Sequence, residues 1–248
     1  MARAFVAATT QYLVNTTPPL TAIPLTMACR FRSNDATTRY YMMSVSADDG
    51  DRIGLGVRGE AGGDPIDAQA YNGANSNPLS TTGYSANTWH HACCVAAASN
   101  SLTVYLDGGG KATVATDVPC SAFTRMHIGC IYWHPTTAIA YPLDGQLAEC
   151  AIWNVALTDA EVAILAKGYS PLLVRPQSLV GYWPTVGRTS PEIDIVGGYD
   201  MTLVNTPTVA VHPRVLYPTA YRLGVPIPAV VAGRIPRHPA QYNTLAIY

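Results

Sequence analysis

Short β-type runs of apolar residues recur along this chain, and clusters of polar turn residues separate the runs. A period of two is the rhythm of a strand with one face buried. The pattern predicts strands at 3–8, 11–14, 25–32, 39–46, 52–57, 68–71, 90–96, 102–106, 125–131 and 145–153, then at 178–183 and 199–204. Between them lie SNDATT, SADDGD, GEAGGDP, NGANSNP, DGGGK and YWHPTT, rich in the Gly, Pro, Asn and Asp that turns require. Many short strands at this spacing predict an all-β sandwich or barrel. One helix interrupts them. Thr158-Asp159-Ala160-Glu161 spells a capping box, Val162, Leu165 and Ala166 follow, and Gly168 supplies the stop. No internal repeat is visible.

From about residue 205 the rhythm breaks. Residues 205–248 hold seven prolines and no Asp or Glu, while Val, Ile, Leu and Tyr keep recurring. Proline withdraws ladder donors and favours extended backbone. An apolar, cationic, extended arm reads as chain laid across a partner; the competing reading is a tail wrapped over its own domain. The chain thus divides into a β domain over 1–210 and an attachment arm over 211–248. The arm's candidate contact residues are Arg214, Tyr217, Tyr221, Arg222, Arg234, Arg237, Tyr242 and Tyr248.

Composition narrows the function classes. Hydrophobic residues make up 48% and charged residues 12%, so the surface is mostly neutral and polar, as suits a protein that lives against other proteins. A net charge of -1 gives no overall pull toward nucleic acid. No apolar run approaches the roughly 18 residues of a membrane helix. Residues 1–14 lack the apolar stretch of a signal peptide, so synthesis and folding in a cytoplasm are expected. Cys29, Cys93, Cys94, Cys120, Cys130 and Cys150 sit mostly in apolar strand-like runs. There a thiol behaves as a small hydrophobe, so free thiols are expected, with three disulfides as the alternative. Adjacent Cys93 and Cys94 should point to opposite faces of a strand.

Three stretches together resemble the laminin-G-like, concanavalin A-like jelly roll. The first is Trp89-His90-His91-Ala92 followed by Leu102-Thr103-Val104-Tyr105-Leu106-Asp107-Gly108. The second is Leu143-Asp144-Gly145-Gln146-Leu147-Ala148-Glu149-Cys150-Ala151-Ile152-Trp153-Asn154, continuing through Ala156-Leu157-Thr158-Asp159-Ala160-Glu161. The third is Leu179-Val180-Gly181-Tyr182-Trp183-Pro184 with Asp194-Ile195-Val196-Gly197-Gly198 and Leu203-Val204-Asn205. The resemblance spans about residues 1–210 and implies a two-sheet jelly-roll sandwich with one short helix. It makes His91 a hydrogen-bonded core residue, and its whole organisation is most similar to bacteriophage virion proteins. In such a sandwich Trp89 can fill one end, and Asp107-Gly108-Gly109 supplies positive-φ turn positions. Alternation places Leu147, Glu149 and Ala151 on one face, with Ala148, Cys150 and Ile152 on the other.

Some folds of this kind hydrolyse glucans with paired carboxylates on one strand. Here Glu60, Glu149, Glu161 and Glu192 are the only glutamates, and no two are close in sequence. A paired mechanism needs its two carboxyls within about 5–10 Å, so no enzyme is expected. No G-x-S-x-G element is present for a serine hydrolase. His90 and His91 are neighbours on a strand and cannot chelate one ion. Asp48, Asp49 and Asp51 around Gly50 could hold calcium, or could simply form a turn; no other cofactor is implied. Tyr132, Trp133 and His134 occupy a proline-containing loop where an aromatic ring could stack on a sugar or pack at an interface.

Two functions remain. The first is a virion structural protein, a capsid decoration or head or tail accessory. It would attach through its arm to other virion proteins and itself form a homo-oligomer. The alternative is a carbohydrate-binding adhesin for surface glycans. Neither involves nucleic acid or a membrane.

Overall fold

The computed structural model describes residues 1–133, 138–187 and 190–217. The chain begins with β1 (Ala2–Phe5), β2 (Tyr12–Asn15), β3 (Leu25–Ser33), β4 (Arg39–Ser46), β5 (Arg52–Arg58) and β6 (Pro65–Tyr71). It continues through β7 (Asn75–Ser76), β8 (Leu79–Gly83), β9 (His90–Ala98), β10 (Ser101–Leu106) and β11 (Gly109–Val114). Then come β12 (Arg125–Ile128), β13 (Ile131–Trp133), β14 (Ala138–Ala140) and β15 (Gly145–Trp153). Helix α1 (Asp159–Ala166) precedes β16 (Leu179–Trp183), β17 (Thr202–Val204) and β18 (Thr208–Ala210).

These strands form two antiparallel eight-stranded sheets. The first runs β11-β10-β9-β3-β15-β1-β18, with β16 also on β15. The second runs β17-β2-β12-β4-β5-β6-β7, with β8 also on β6. The hairpin β13–β14 stands apart from both. This is a jelly-roll sandwich, as the sequence resemblance implies.

Alternation builds its core. Leu25, Met27, Cys29 and Phe31 of β3 meet Ala92, Cys94 and Ala96 of β9 on the inner face, with Leu55, Val57 and Ile66 among the partners from the second sheet. Cys93 joins a different cluster, on the outer side, so the two adjacent cysteines do part. All six cysteines are buried free thiols. Burial raises the Cys93, Cys94, Cys130 and Cys150 thiols well above their ordinary range.

The structure corrects several expectations. In β15 the register slips between Ala148 and Ala151, where Glu149 takes φ 57°. This bulge reverses the alternation, so Leu147 shares the inner face with Cys150 and Ile152 while Ala151 and Trp153 face outward. The strand expected at 125–131 ends at Ile128; Gly129, at φ 90°, turns the chain into the separate hairpin. Trp89 does not fill the sandwich end but lies half-buried at the surface, and Trp153 and Trp183 are the fully buried tryptophans. His91 is buried as expected, yet neither ring nitrogen has a hydrogen-bond partner.

Helix α1 lies over the outer face of the first sheet. Thr158 accepts from the Glu161 amide, and Glu161 returns a bond to the Thr158 amide at 2.8 Å, completing the capping box. The helix buries Val162 and Leu165 against Cys93, Val95, Tyr105, Trp153 and Tyr182. Burying each such side chain contributes about 1.5–3 kcal/mol. The β10–β11 turn reaches the helix through Gly108, at φ 74°, where an added Cβ would lie 2.7 Å from the Ala166 Cβ.

The domain also reaches further than residue 210. Strand β18 closes on β1. Beyond it, the Leu216 amide donates to Gly168 O at 2.7 Å, and the Ser170 amide to Leu216 O at 2.9 Å. His212 Nε2 lies 3.2 Å from Pro184 O and 3.3 Å from Glu149 Oε1. Arg214 and Tyr217, expected as contact residues of an arm laid across a partner, belong to a segment that lies on its own domain. Tyr221, Arg222, Arg234, Arg237, Tyr242 and Tyr248 lie outside the described residues.

Candidate functional site

The outer face of the second sheet is polar where that of the first is apolar. Alternate positions of β4, β5 and β6 bring up Arg39, Tyr41, Arg52, Gly54, Gly56, Arg58, Asp67, Gln69 and Tyr71. Glycine at 54 and 56 makes a lane for the Tyr41 ring, because a Cβ at Gly54 would sit 2.6 Å from Tyr41 Cε1. The hairpin β13–β14 covers this lane. Its connections hold it there: Tyr41 N donates to Tyr141 O at 3.0 Å, Ser44 Oγ to Cys130 O at 3.0 Å, and Gly129 N to Met42 O at 2.8 Å.

Under the hairpin, Asp67 is fully buried and receives Arg39 at 3.2 Å and Arg58 at 3.4 Å. Burial pushes its carboxyl above the ordinary range, and the two guanidiniums only partly offset that. The Tyr41 hydroxyl bonds Arg39 and donates to Gln69 Oε1 at 3.0 Å, and burial raises its pKa as well. Arg52 is sandwiched, its guanidinium carbon 3.9 Å from the Tyr71 ring centre and 4.0 Å from that of Trp133. Cation–π contacts of this kind contribute about 0.5–2 kcal/mol. Trp133 also meets the edge of Tyr141 at 5.9 Å, and Arg39 lies 5.0 Å from the Tyr141 ring.

Of the expected sugar-contacting residues, Tyr132 and Trp133 come to this face and His134 lies outside the described residues. Tyr132 stacks on buried His127 with rings 6.0 Å apart and 3° from parallel, and Arg125 sits 4.3 Å from its ring centre. Burial beside Arg125 lowers the His127 pKa to about 3. Trp133 and Tyr132 are half-buried and Tyr141 is exposed, so an aromatic rim faces solvent above a polar floor. The loop reading missed Arg39, Arg52, Asp67, Gln69, Tyr71 and Tyr141. Their signal was the outward set of β5 and β6, which pairs charges and aromatics with glycine.

The Asp48, Asp49 and Asp51 loop does not gather into a calcium site. Asp48 pairs with Arg125, Asp49 accepts from the Asp51 amide, and Asp51 accepts from the Ser121 amide. Among the described residues no three His, Cys, Asp or Glu side chains are grouped to hold a metal, whereas calcium takes 6–8 oxygens. The four glutamates each have a different partner: Glu60 pairs with Arg58, Glu149 with Tyr182, Glu161 with Arg175 and Glu192 with Arg3.

Comparison with curated proteins gives no match. Among solved structures the chain is similar to a Bacteroides ovatus ATCC 8483 protein named as a "putative carbohydrate binding protein". Identity there is 19% and the TM-score 0.63, covering 86% of this chain and 60% of that one. A heptameric SAP-like pentraxin from Limulus polyphemus aligns at 19% identity and TM-score 0.51, over 63% of this chain and 75% of its own. Mouse laminin alpha1 domains LG4-5 align at 12% identity and TM-score 0.51, over 64% and 43%. These likenesses concern the fold. Residues 7–163 match the laminin G-type family described as the Concanavalin A-like lectin/glucanases superfamily, and the chain belongs to it.

Proposed function

We propose that the domain is a non-catalytic saccharide-binding module whose recognition surface is the aromatic rim around the β13–β14 hairpin. The observation that carries this reading is the group formed by Tyr71, Trp133 and Tyr141, held in place by Arg39 and Arg52. A few convergent polar groups beside fixed aromatic rings suit a ligand with both hydroxyls and an apolar ring face. The name of the Bacteroides ovatus protein points the same way. The engagement of each glutamate by a different partner favours binding over hydrolysis. A glycan array probed with the full chain tests the proposal. Binding to a saccharide that falls at least tenfold in Trp133→Ala and Tyr141→Ala, with the circular dichroism of the folded domain retained, supports it. Binding that both variants retain sinks it, as does an array without hits.

A second reading concerns attachment. Val209, Val211 and Tyr217 are 51%, 82% and 55% exposed, an apolar lead into the acid-free segment 218–248. We propose that this segment docks the domain on a larger assembly, a bacteriophage virion shell being the kind the sequence resemblance suggests. Removing 218–248 should leave a folded domain that no longer co-sediments with purified shells. Undiminished co-sedimentation, or none by the full chain, removes this reading.

A further inference from the structure

We propose that a cationic groove between the C-terminal end of α1 and the segment after β18 is a second binding site, for an acidic saccharide. Arg30, Trp89, Lys167, Pro213, Arg214 and Leu216 line a volume of about 590 Å³, within the roughly 300–1,000 Å³ of small-molecule sites. It belongs to the first sheet's side of the sandwich, whereas the hairpin covers the second.

Its charges set it apart. Every other described lysine and arginine donates to a carboxylate, a carbonyl or an amide oxygen. Among the described residues Lys167 and Arg214 alone do not, and both line this one groove. No Asp or Glu lines it, and the residues outside the described ones contain none. The negative end of α1 is already answered, since Arg30 donates to Leu165 O at 3.4 Å and Ala166 O at 2.8 Å. The acids nearest Arg30 are engaged elsewhere, Asp107 by His90 and the His91 amide, Glu149 by Tyr182. Among the described residues, Lys167 and Arg214 are thus the two cations with neither a carboxylate nor an oxygen acceptor, in a chain that is only 12% charged.

The groove is also held in shape. Backbone bonds from Leu216 to Gly168 and from Ser170 to Leu216 fix the wall that carries Arg214. Trp89, half-buried, supplies an indole beside the cations. An ammonium and a guanidinium suit a carboxylate or sulfate, and an indole suits the apolar face of a ring. A sugar bearing an acidic group combines the two. The choice of a sugar over another ring-bearing anion rests on reading the domain as a saccharide-binding module.

Calorimetry and amide chemical shifts of the full chain test the groove, with a galacturonic acid trisaccharide, neutral galactotriose and sodium sulfate as probes. The expected result is saturable binding of the acidic trisaccharide, with shifts at Trp89, Lys167 and Arg214. Affinity should fall about tenfold in Arg214→Ala/Lys167→Ala and again in about 0.5 M salt. Both substituted side chains are exposed, and Trp89→Phe provides a variant that retains a ring. Equal affinity for galactotriose, sulfate competing at the same midpoint, or affinity unchanged in the double variant overturns the proposal. Trp133→Ala separates the two sites. Binding of the acidic trisaccharide lost only in Trp133→Ala leaves the rim reading standing and removes the groove; binding lost only in the groove variants supports the groove and leaves the rim to its own glycan-array test.

Discussion

Both sheets of the sandwich are covered on their outer faces, but by opposite chemistry. Over the first sheet, α1 and the chain around it bury Trp153, Tyr182, Val162 and Leu165 in an apolar layer, with Trp153 Nε1 donating to Val174 O at 2.8 Å. Over the second, the hairpin buries Asp67, Arg52, Gln69 and Tyr41. Apolar burial stabilises wherever shapes fit. Charged burial demands that each partner stay in place, because a stranded charge is expensive. The first cover therefore secures the fold. The second fixes the orientation of side chains, which is what a recognition surface needs.

The largest expected effect falls on the apolar cover. Trp153→Ala should destabilise the domain by about 3–5 kcal/mol through the cavity it leaves, seen as a lower urea midpoint. A loss below about 1 kcal/mol would mean that this layer is not close-packed.

Asp67→Ala comes next. Arg39 and Arg58 would lose their shared anion but keep some water, at 16% and 23% side-chain exposure. The expected loss is about 2–3 kcal/mol, below the full figure for a buried ion pair. Saccharide binding should weaken more than stability does. Equal weakening in Trp153→Ala would erase the distinction between the two faces.

Acid should strain both faces together. His91 behind the first sheet and His127 on the second are buried, and burial lowers both pKa values to about 3. Unfolded histidines titrate near 6.5. Between those values the unfolded chain binds more protons, so stability is complete above about pH 6.5 and falls as pH drops toward 3. Depressed Asp107 and Glu161 carboxyls add to the loss in the lower part of that window, while raised Asp67 opposes it. Urea midpoints measured from pH 7 to 4.5 should decline, and His91→Gln and His127→Gln should each flatten the slope. A flat profile for the parent protein contradicts the burial of neutral imidazoles.

Thr158→Ala is the smallest change. Loss of the cap should weaken α1 by about 1 kcal/mol and leave the hairpin face untouched, including any saccharide binding there.

What the sequence shows directly follows the same divide. Strands β4 and β15 end where their apolar runs meet turn residues, as predicted, and the capping box is local chemistry that needs no tertiary context. Strands β8 and β11 were not visible, because LSTTG and GGKATV offer few apolar positions and are held by their neighbours. The bulge at Glu149 was hidden too, since a strict alternation reads straight through it. The hairpin was the main miss. In IYWHPTTAIA the proline drew attention to the loop, but nothing local says that its two arms pair and fold back over β4 and β5. At the root of the arm Leu216 is fixed on its own domain, the competing reading, by backbone bonds that leave no trace in side-chain pattern.

The first strands meet the last of the described ones in both layers: β1 lies against β18 in one sheet, and β2 against β17 in the other. Residues 2–15 therefore leave the ribosome well before residues 202–210 and cannot complete their pairing until those have followed. Until then β1 and β2 each keep one side unpaired, the form in which strands join the wrong neighbour. The same adjacency makes the domain a candidate for circular permutation. Joining the two ends of the sandwich through a short linker and cutting at the exposed Gly62–Gly63 loop would turn its slowest contacts into local ones.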